Sequence, residues 1–132
     1  MAKLNKYYNI EGTIRDGFKR SGDYKTLDFS FIKLNDNGVK ALVNSKSIKQ
    51  LKRLTISNNK LTNKSGFSIA ESPWLGNLQF LKLYRNKIGD EGLKALTESD
   101  KLPNIKYKIR HTHCYNNGNA ILINKFCNIV YH

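Results

Sequence analysis

The feature that most limits what this chain can fold into is a repeat of fixed period. Tyr24, Leu51 and Leu78 stand 27 residues apart, and the same step aligns Leu27 with Leu54 and Leu81, and Phe29 with Ile56 and Leu83. Further along the unit Leu34, Leu61 and Ile88 coincide, then Ala41, Ser68 and Ala95, then Leu42, Ile69 and Leu96. Ser45, Ser72 and Ser99 form another column, as do Ile48, Leu75 and Leu102. No insertion interrupts the period. A unit this short cannot bury its own apolar face, so consecutive units must stack and share one core.

Each unit has two textures. The first reads L-x-x-L-x-L-x-x-N-x-L, from Leu51 through Leu54, Ile56 and Asn59 to Leu61, and again from Leu78 through Leu81, Leu83 and Asn86 to Ile88. The L-x-L alternation sends two apolar side chains to one face of a short strand and polar ones to the other. The asparagine amide can bond backbone groups in the turn that leaves the strand, where the ladder no longer supplies partners. The second texture is helical. In Gly89-Asp90-Glu91-Gly92-Leu93-Lys94-Ala95-Leu96 an aspartate is placed to cap a helix, with apolar residues following at helical spacing. Asn35-Asp36-Asn37-Gly38-Val39-Lys40-Ala41-Leu42 repeats the design, and the middle helix, Thr62 to Ser72, is less regular.

This pairing of a strand-turn with D-E-G-L-K-A-L closely resembles the leucine-rich repeat (LRR) family, in its ribonuclease-inhibitor-like class. The resemblance covers residues 24 to 105 in three units. The first unit departs from the pattern, with Tyr24 in place of leucine and Ile32 in place of asparagine. The resemblance implies an α/β fold: a short right-handed solenoid with a curved parallel sheet on its concave face and helices on its convex face. It also implies a non-enzymatic module that binds a protein partner through the concave strand face. The side chains expected to project from that face are Thr26, Asp28, Ser30 and Phe31, then Arg53, Thr55, Ser57 and Asn58, then Phe80, Lys82, Tyr84 and Arg85. Aromatic and arginine side chains are the usual anchors of protein interfaces. Arg53, Phe80, Lys82, Tyr84 and Arg85 are therefore the expected partner-binding residues, with Phe80, Tyr84 and Arg85 as the hot spot. The bland alternative is that they are ordinary exposed residues, with Phe80 covered by the C-terminal tail.

A solenoid needs its ends covered. Ile10, Ile14 and Phe18 make one apolar stripe on a helix of about residues 10 to 20, so residues 1–23 read as an N-terminal capping region and 24–104 as the three repeats. Residues 105–132 read as a degenerate repeat or C-terminal cap. Ile105, Tyr107 and Ile109 alternate like a strand, while Lys108, Arg110 and His113 occupy columns that are apolar or asparagine elsewhere. The apolar tail from Ala120 to Tyr131 either closes the solenoid or is the end of a once longer array.

The net charge of +13 draws the chain toward an acidic protein, a nucleic acid or an anionic surface. Lysine outnumbers arginine 18 to 5 and is scattered along the sequence, which favours a protein partner of acidic character over nucleic acid, the alternative reading. His111, His113, Cys114, Cys127 and His132 match no zinc spacing, so no metal is expected, and no cofactor motif is present. No nucleophile elbow, phosphate loop or paired-carboxylate pattern points to an enzyme. No transmembrane segment or signal peptide is expected, and two cysteines suit a reducing compartment. The chain reads as cytoplasmic, or as secreted into a host cell by a signal-peptide-independent route. The second reading follows LRR effectors of AT-rich bacteria, whose composition this Lys-, Asn-, Ile- and Tyr-rich chain matches.

Overall fold

A computed structural model describes residues 9–83, 85–105, 115–116 and 119–120. The fold is α/β. Three short strands, β1 (Thr26–Asp28), β2 (Arg53–Thr55) and β3 (Phe80–Lys82), form an open parallel sheet in the order β1-β2-β3. Four helices, α1 (Ile10–Ser21), α2 (Asn35–Val43), α3 (Asn63–Ala70) and α4 (Asp90–Glu98), accompany them. Tyr115–Asn116 and Asn119–Ala120 pair antiparallel, Tyr115 opposite Ala120. Lys108, Tyr107, Ile109, the histidines and the cysteines lie outside the described residues.

The strand register reproduces the sequence period. Thr26 pairs with Arg53 and Arg53 with Phe80; Leu27, Leu54 and Leu81 form the next row, and Asp28, Thr55 and Lys82 the last. The alternation then does its work. Leu27, Phe29, Leu54, Ile56, Leu81 and Leu83 are buried, along with the helix residues Leu42, Ile69 and Leu96. The core is therefore continuous from one unit to the next, as stacking requires.

Helix α1 opens the stack on β1 and α2. Asn9 accepts a hydrogen bond from the Gly12 N–H, Glu11 sits in the first turn, and Lys19 and Arg20 in the last, all favourable to the helix dipole. Gly22 ends the helix at φ 81°, its N–H returning to the Phe18 carbonyl. Ile14 and Phe18 are buried and Ile10 is half-buried against the core.

The starts of the later helices are tied across units. Asp90 begins α4 instead of capping it: the N-cap position is Gly89, with no side-chain cap bond. Asn63, one unit earlier, reaches over, and its Oδ1 accepts from the Gly89 and Gly92 N–H groups at 2.7 and 3.0 Å. Asp36, one period before Asn63, reaches the start of α3, accepting from the Thr62 N–H and from the Thr62 and Ser65 hydroxyls, while Thr62 itself caps the helix by accepting from the Lys64 N–H. The expectation of self-capping aspartates fails because a side chain at that position points at the next helix in the stack. These helices also approach closely. A Cβ on Gly66 would lie 2.8 Å from the Gly92 Cα, so two glycines meet where α3 crosses onto α4.

The serine column joins helix ends to the following unit. Ser72 donates to the Val43 carbonyl and Ser99 to the Ala70 carbonyl, each at 2.6 Å, and each accepts from the N–H two residues on. Ser45 meets α1 instead: its hydroxyl donates to the Glu11 carboxylate, as does that of Ser47.

Candidate functional site

The outward face of the sheet is built by the alternation that fills the core. Arg53 and Lys82 are exposed, Phe80 and Thr55 half-buried, and Asp28 is exposed beside them. Arg53 and Phe80 are register partners on adjacent strands, and the Arg53 guanidinium carbon stands 4.2 Å from the centre of the Phe80 ring. That contact is a cation–π pair, which flattens both side chains into one amphipathic surface. Lys82 follows two residues on, one strand over from Thr55. The sheet thus brings Arg53, Phe80 and Lys82 together. Arg85 lies past the strand, exposed, at the turn. Tyr84 lies outside the described residues.

Ser57 does not project with this set. It is 1% exposed, and its hydroxyl has no hydrogen-bond partner among the described residues. Alternation holds through Ile56, buried one residue past the end of β2, and breaks at Ser57, where the chain curls inward before turning at Asn58.

The turn edge is held by the asparagines. Asn59 Oδ1 accepts from the Ile32 and Leu34 N–H groups of the preceding unit, while its Nδ2 donates to the Phe29 and Ser57 carbonyls. Asn86 repeats the pattern, accepting from Asn59 and Leu61 N–H and donating to Ile56 and Leu83. Each asparagine therefore serves the turn before its own. The first unit carries Ile32 at this position, and among the described residues no strand-turn precedes it for an amide to serve. A further asparagine row, Asn77 donating to the Lys49 carbonyl and Asn104 to that of Gly76, escaped the sequence reading. The 27-residue step from Asn77 to Asn104 was the signal that could have found it.

Two columns of this edge take the left-handed conformation. Phe31, Asn58 and Arg85 have φ of 62°, 59° and 61°, and Lys33 and Lys60 have φ of 57° and 59°. Asparagine tolerates that region; phenylalanine and lysine pay a steric cost of about 1–2 kcal/mol. Phe31 is nonetheless 73% exposed, an aromatic ring left in solvent beside the sheet face.

The lysines, too, are less scattered than the sequence reading holds. Lys33, Lys60 and Lys87 are one period apart, all exposed, in turns that the asparagine ladder stacks in register. Dispersion along the chain becomes a column in space because the period equals the stacking step. Among the described residues the one ion pair is Lys101–Glu71 at 3.2 Å, on the helix side. The cations of the sheet face and turn edge thus have no carboxylate within ion-pair distance there.

Glu11 and Asp36, like the exposed Asp23, are held below the ordinary carboxylate range, and the first two join units of the stack. Glu11 is lowered chiefly by the Ser45 hydroxyl, then by Ser47. For Asp36, burial pushes upward, but the bonds from Ser65 and Thr62 together outweigh it. Both are structural latches away from the exposed face. No group of three or more potential metal ligands comes together among the described residues. No helix among them is long and apolar enough to cross a membrane.

A comparison with curated proteins finds no match. The family model described as Leucine Rich repeat matches residues 77–96, the stretch that runs from the Asn77 turn through β3 into α4. Residues 77–96, with their buried Leu78, Leu81, Leu83, Ile88, Leu93 and Leu96, are thus similar to a leucine-rich repeat.

Proposed function

We propose that this chain is a protein-interaction module: three LRRs of the ribonuclease-inhibitor-like class over residues 24–104, in a right-handed solenoid, with residues 1–23 as its N-terminal cap. The partner docks on the sheet face, which such a solenoid makes concave, through Arg53, Phe80, Lys82, Tyr84 and Arg85. The observation that carries the reading is the Arg53–Phe80 pair, a surface cation–π contact flanked by Lys82, which has no ion pair among the described residues. A guanidinium over an aromatic ring is preorganised, so little side-chain freedom is lost when a partner covers it. The match to a leucine-rich repeat supports the same class, since such repeats generally serve protein binding.

The test is capture of partners from a lysate on the full chain, with and without nuclease, across a salt series. A discrete protein that survives nuclease and moderate salt, and is lost with Arg53→Ala or Arg85→Ala, is the expected result. Retention of nucleic acid alone, released by salt, would show that the charge acts as a polyanion binder and overturn the reading.

A further inference from the structure

We infer that the strand-to-helix turns form a cationic track that takes a short run of carboxylates on an extended peptide laid across the strands, with Phe31 receiving an apolar side chain at one end. This deepens the protein-binding reading and rests on it, naming the chemistry of the partner. The track is the Lys33, Lys60 and Lys87 column together with Arg85, all exposed. Adjacent strands lie about 4.8 Å apart, so the three lysine backbones span about 10 Å, roughly three residues of extended chain.

Three observations support a ligand here. Like charges stacked on neighbouring turns repel one another, so the column works against folding. No ion pair among the described residues relieves it. Lys33, Lys60 and Phe31 also occupy left-handed backbone, which a glycine or asparagine would hold at lower cost, as Asn58 does in the Phe31 column. The turn itself therefore gives no reason for lysine or an exposed phenylalanine at these positions. An acidic segment supplies one, neutralising the column and covering the ring.

An extended peptide fits better than a nucleic acid. Single strands are held by aromatic platforms on which successive bases stack. Among the described residues beside this track the exposed aromatic is Phe31; Phe80 lies under Arg53. The charges are mostly lysine, which lacks the bidentate fork suited to phosphate. Thr55 at the end of β2 and Asn58 in the turn carry a hydroxyl and an amide able to pair with peptide backbone.

The experiment is fluorescence anisotropy on the full chain, using a short labelled peptide in which leucine precedes a run of glutamates. A glutamine version and oligo(dT) serve as comparisons. The variants are Lys33→Asn/Lys60→Asn/Lys87→Asn combined, Phe31→Asn, and Arg53→Ala/Lys82→Ala; asparagine is chosen at the turns because it suits their backbone. The glutamate peptide should bind, more weakly as salt rises, and the glutamine peptide should not. The lysine triple should weaken binding by about tenfold, roughly a twofold loss for each of the exposed charge pairs. Phe31→Asn should weaken the leucine peptide more than one with glycine in its place. Failure of the glutamate peptide to bind, equal binding by the lysine triple, or equally tight oligo(dT) would each overturn the track. Loss with Arg53→Ala/Lys82→Ala but not with the lysine triple overturns it too, while leaving the sheet-face reading standing.

Discussion

Asn59 is the most informative single residue to remove. Its side chain is buried, at 1% exposure, and satisfies four backbone groups: the N–H of Ile32 and Leu34, and the carbonyls of Phe29 and Ser57. These groups belong to two adjacent units, so Asn59→Ala cuts a joint between repeats. Each hydrogen bond is worth about 0.5–1.5 kcal/mol net, and each buried group left without a partner costs about 1–3 kcal/mol. Allowing for water entering the vacated space, the loss should be about 3–5 kcal/mol. A single domain holds only about 5–15 kcal/mol in total, so this approaches the whole margin. Asn86 makes the same four bonds but is half-buried, and water can replace its amide more readily. Asn86→Ala should therefore cost about 1–2 kcal/mol, at the lower end of the hydrogen-bond range. Equilibrium urea denaturation, followed by the single tryptophan, Trp74, half-buried against the core, measures both. The reasoning is refuted if Asn59→Ala lies within about 1 kcal/mol of the parent, or if Asn86→Ala costs more.

Other perturbations test the packing and the site. Gly66→Ala should destabilise by about 1–3 kcal/mol despite alanine's better helix propensity, because the added methyl meets the Gly92 backbone. Gly76→Ala, which meets nothing within 4 Å, should be near neutral; equal melting temperatures for the two variants would contradict the close approach. Phe31→Asn should raise stability by up to about 1 kcal/mol by easing the left-handed backbone, and thermal melting decides it; a loss of stability would mean that the ring contributes to the fold. The Glu11 and Asp36 carboxyls have depressed folded pKa values. Their contribution is present above the ordinary carboxylate range and lost as pH falls through the lowered folded values. Acid titration of the urea midpoint should show that decline, and Glu11→Gln or Asp36→Asn should flatten it; an unchanged acid limb in both would exclude these latches. A double-mutant cycle on Arg53→Ala and Phe80→Ala should give a coupling of about 0.5–1 kcal/mol, and zero coupling would mean the stack is not an energetic contact.

Much of the fold was legible because the period is spelled out in apolar residues. Leu27, Leu54 and Leu81 align in the text and pair in the sheet, since parallel strands of successive units must stack at the repeat distance. The pairing of Arg53 with Phe80 follows from the same step, although the stacking of one on the other does not. The polar columns were visible as columns but not as bonds. Ser45, Ser72 and Ser99 align in sequence, yet only the stacked chain shows that the latter two reach back to helix ends and that Ser45 turns to Glu11. Ser57 was misread as projecting because alternation, which holds through Ile56, was extended one residue further.

The linear pattern of residues sets the unit: its length, its strand and helix, its buried face and the asparagine that must serve a turn. These are local matters of periodicity and backbone satisfaction, and a linear pattern records them. Tertiary structure decided which unit each polar side chain serves. Asn59 bonds the turn before it, and Asp36 and Asn63 reach the start of the helix after them, because stacking brings atoms 25 to 30 residues apart into hydrogen-bond range. It likewise gathered Lys33, Lys60 and Lys87 into one column, since charges one period apart along the chain become neighbours when the units stack in register.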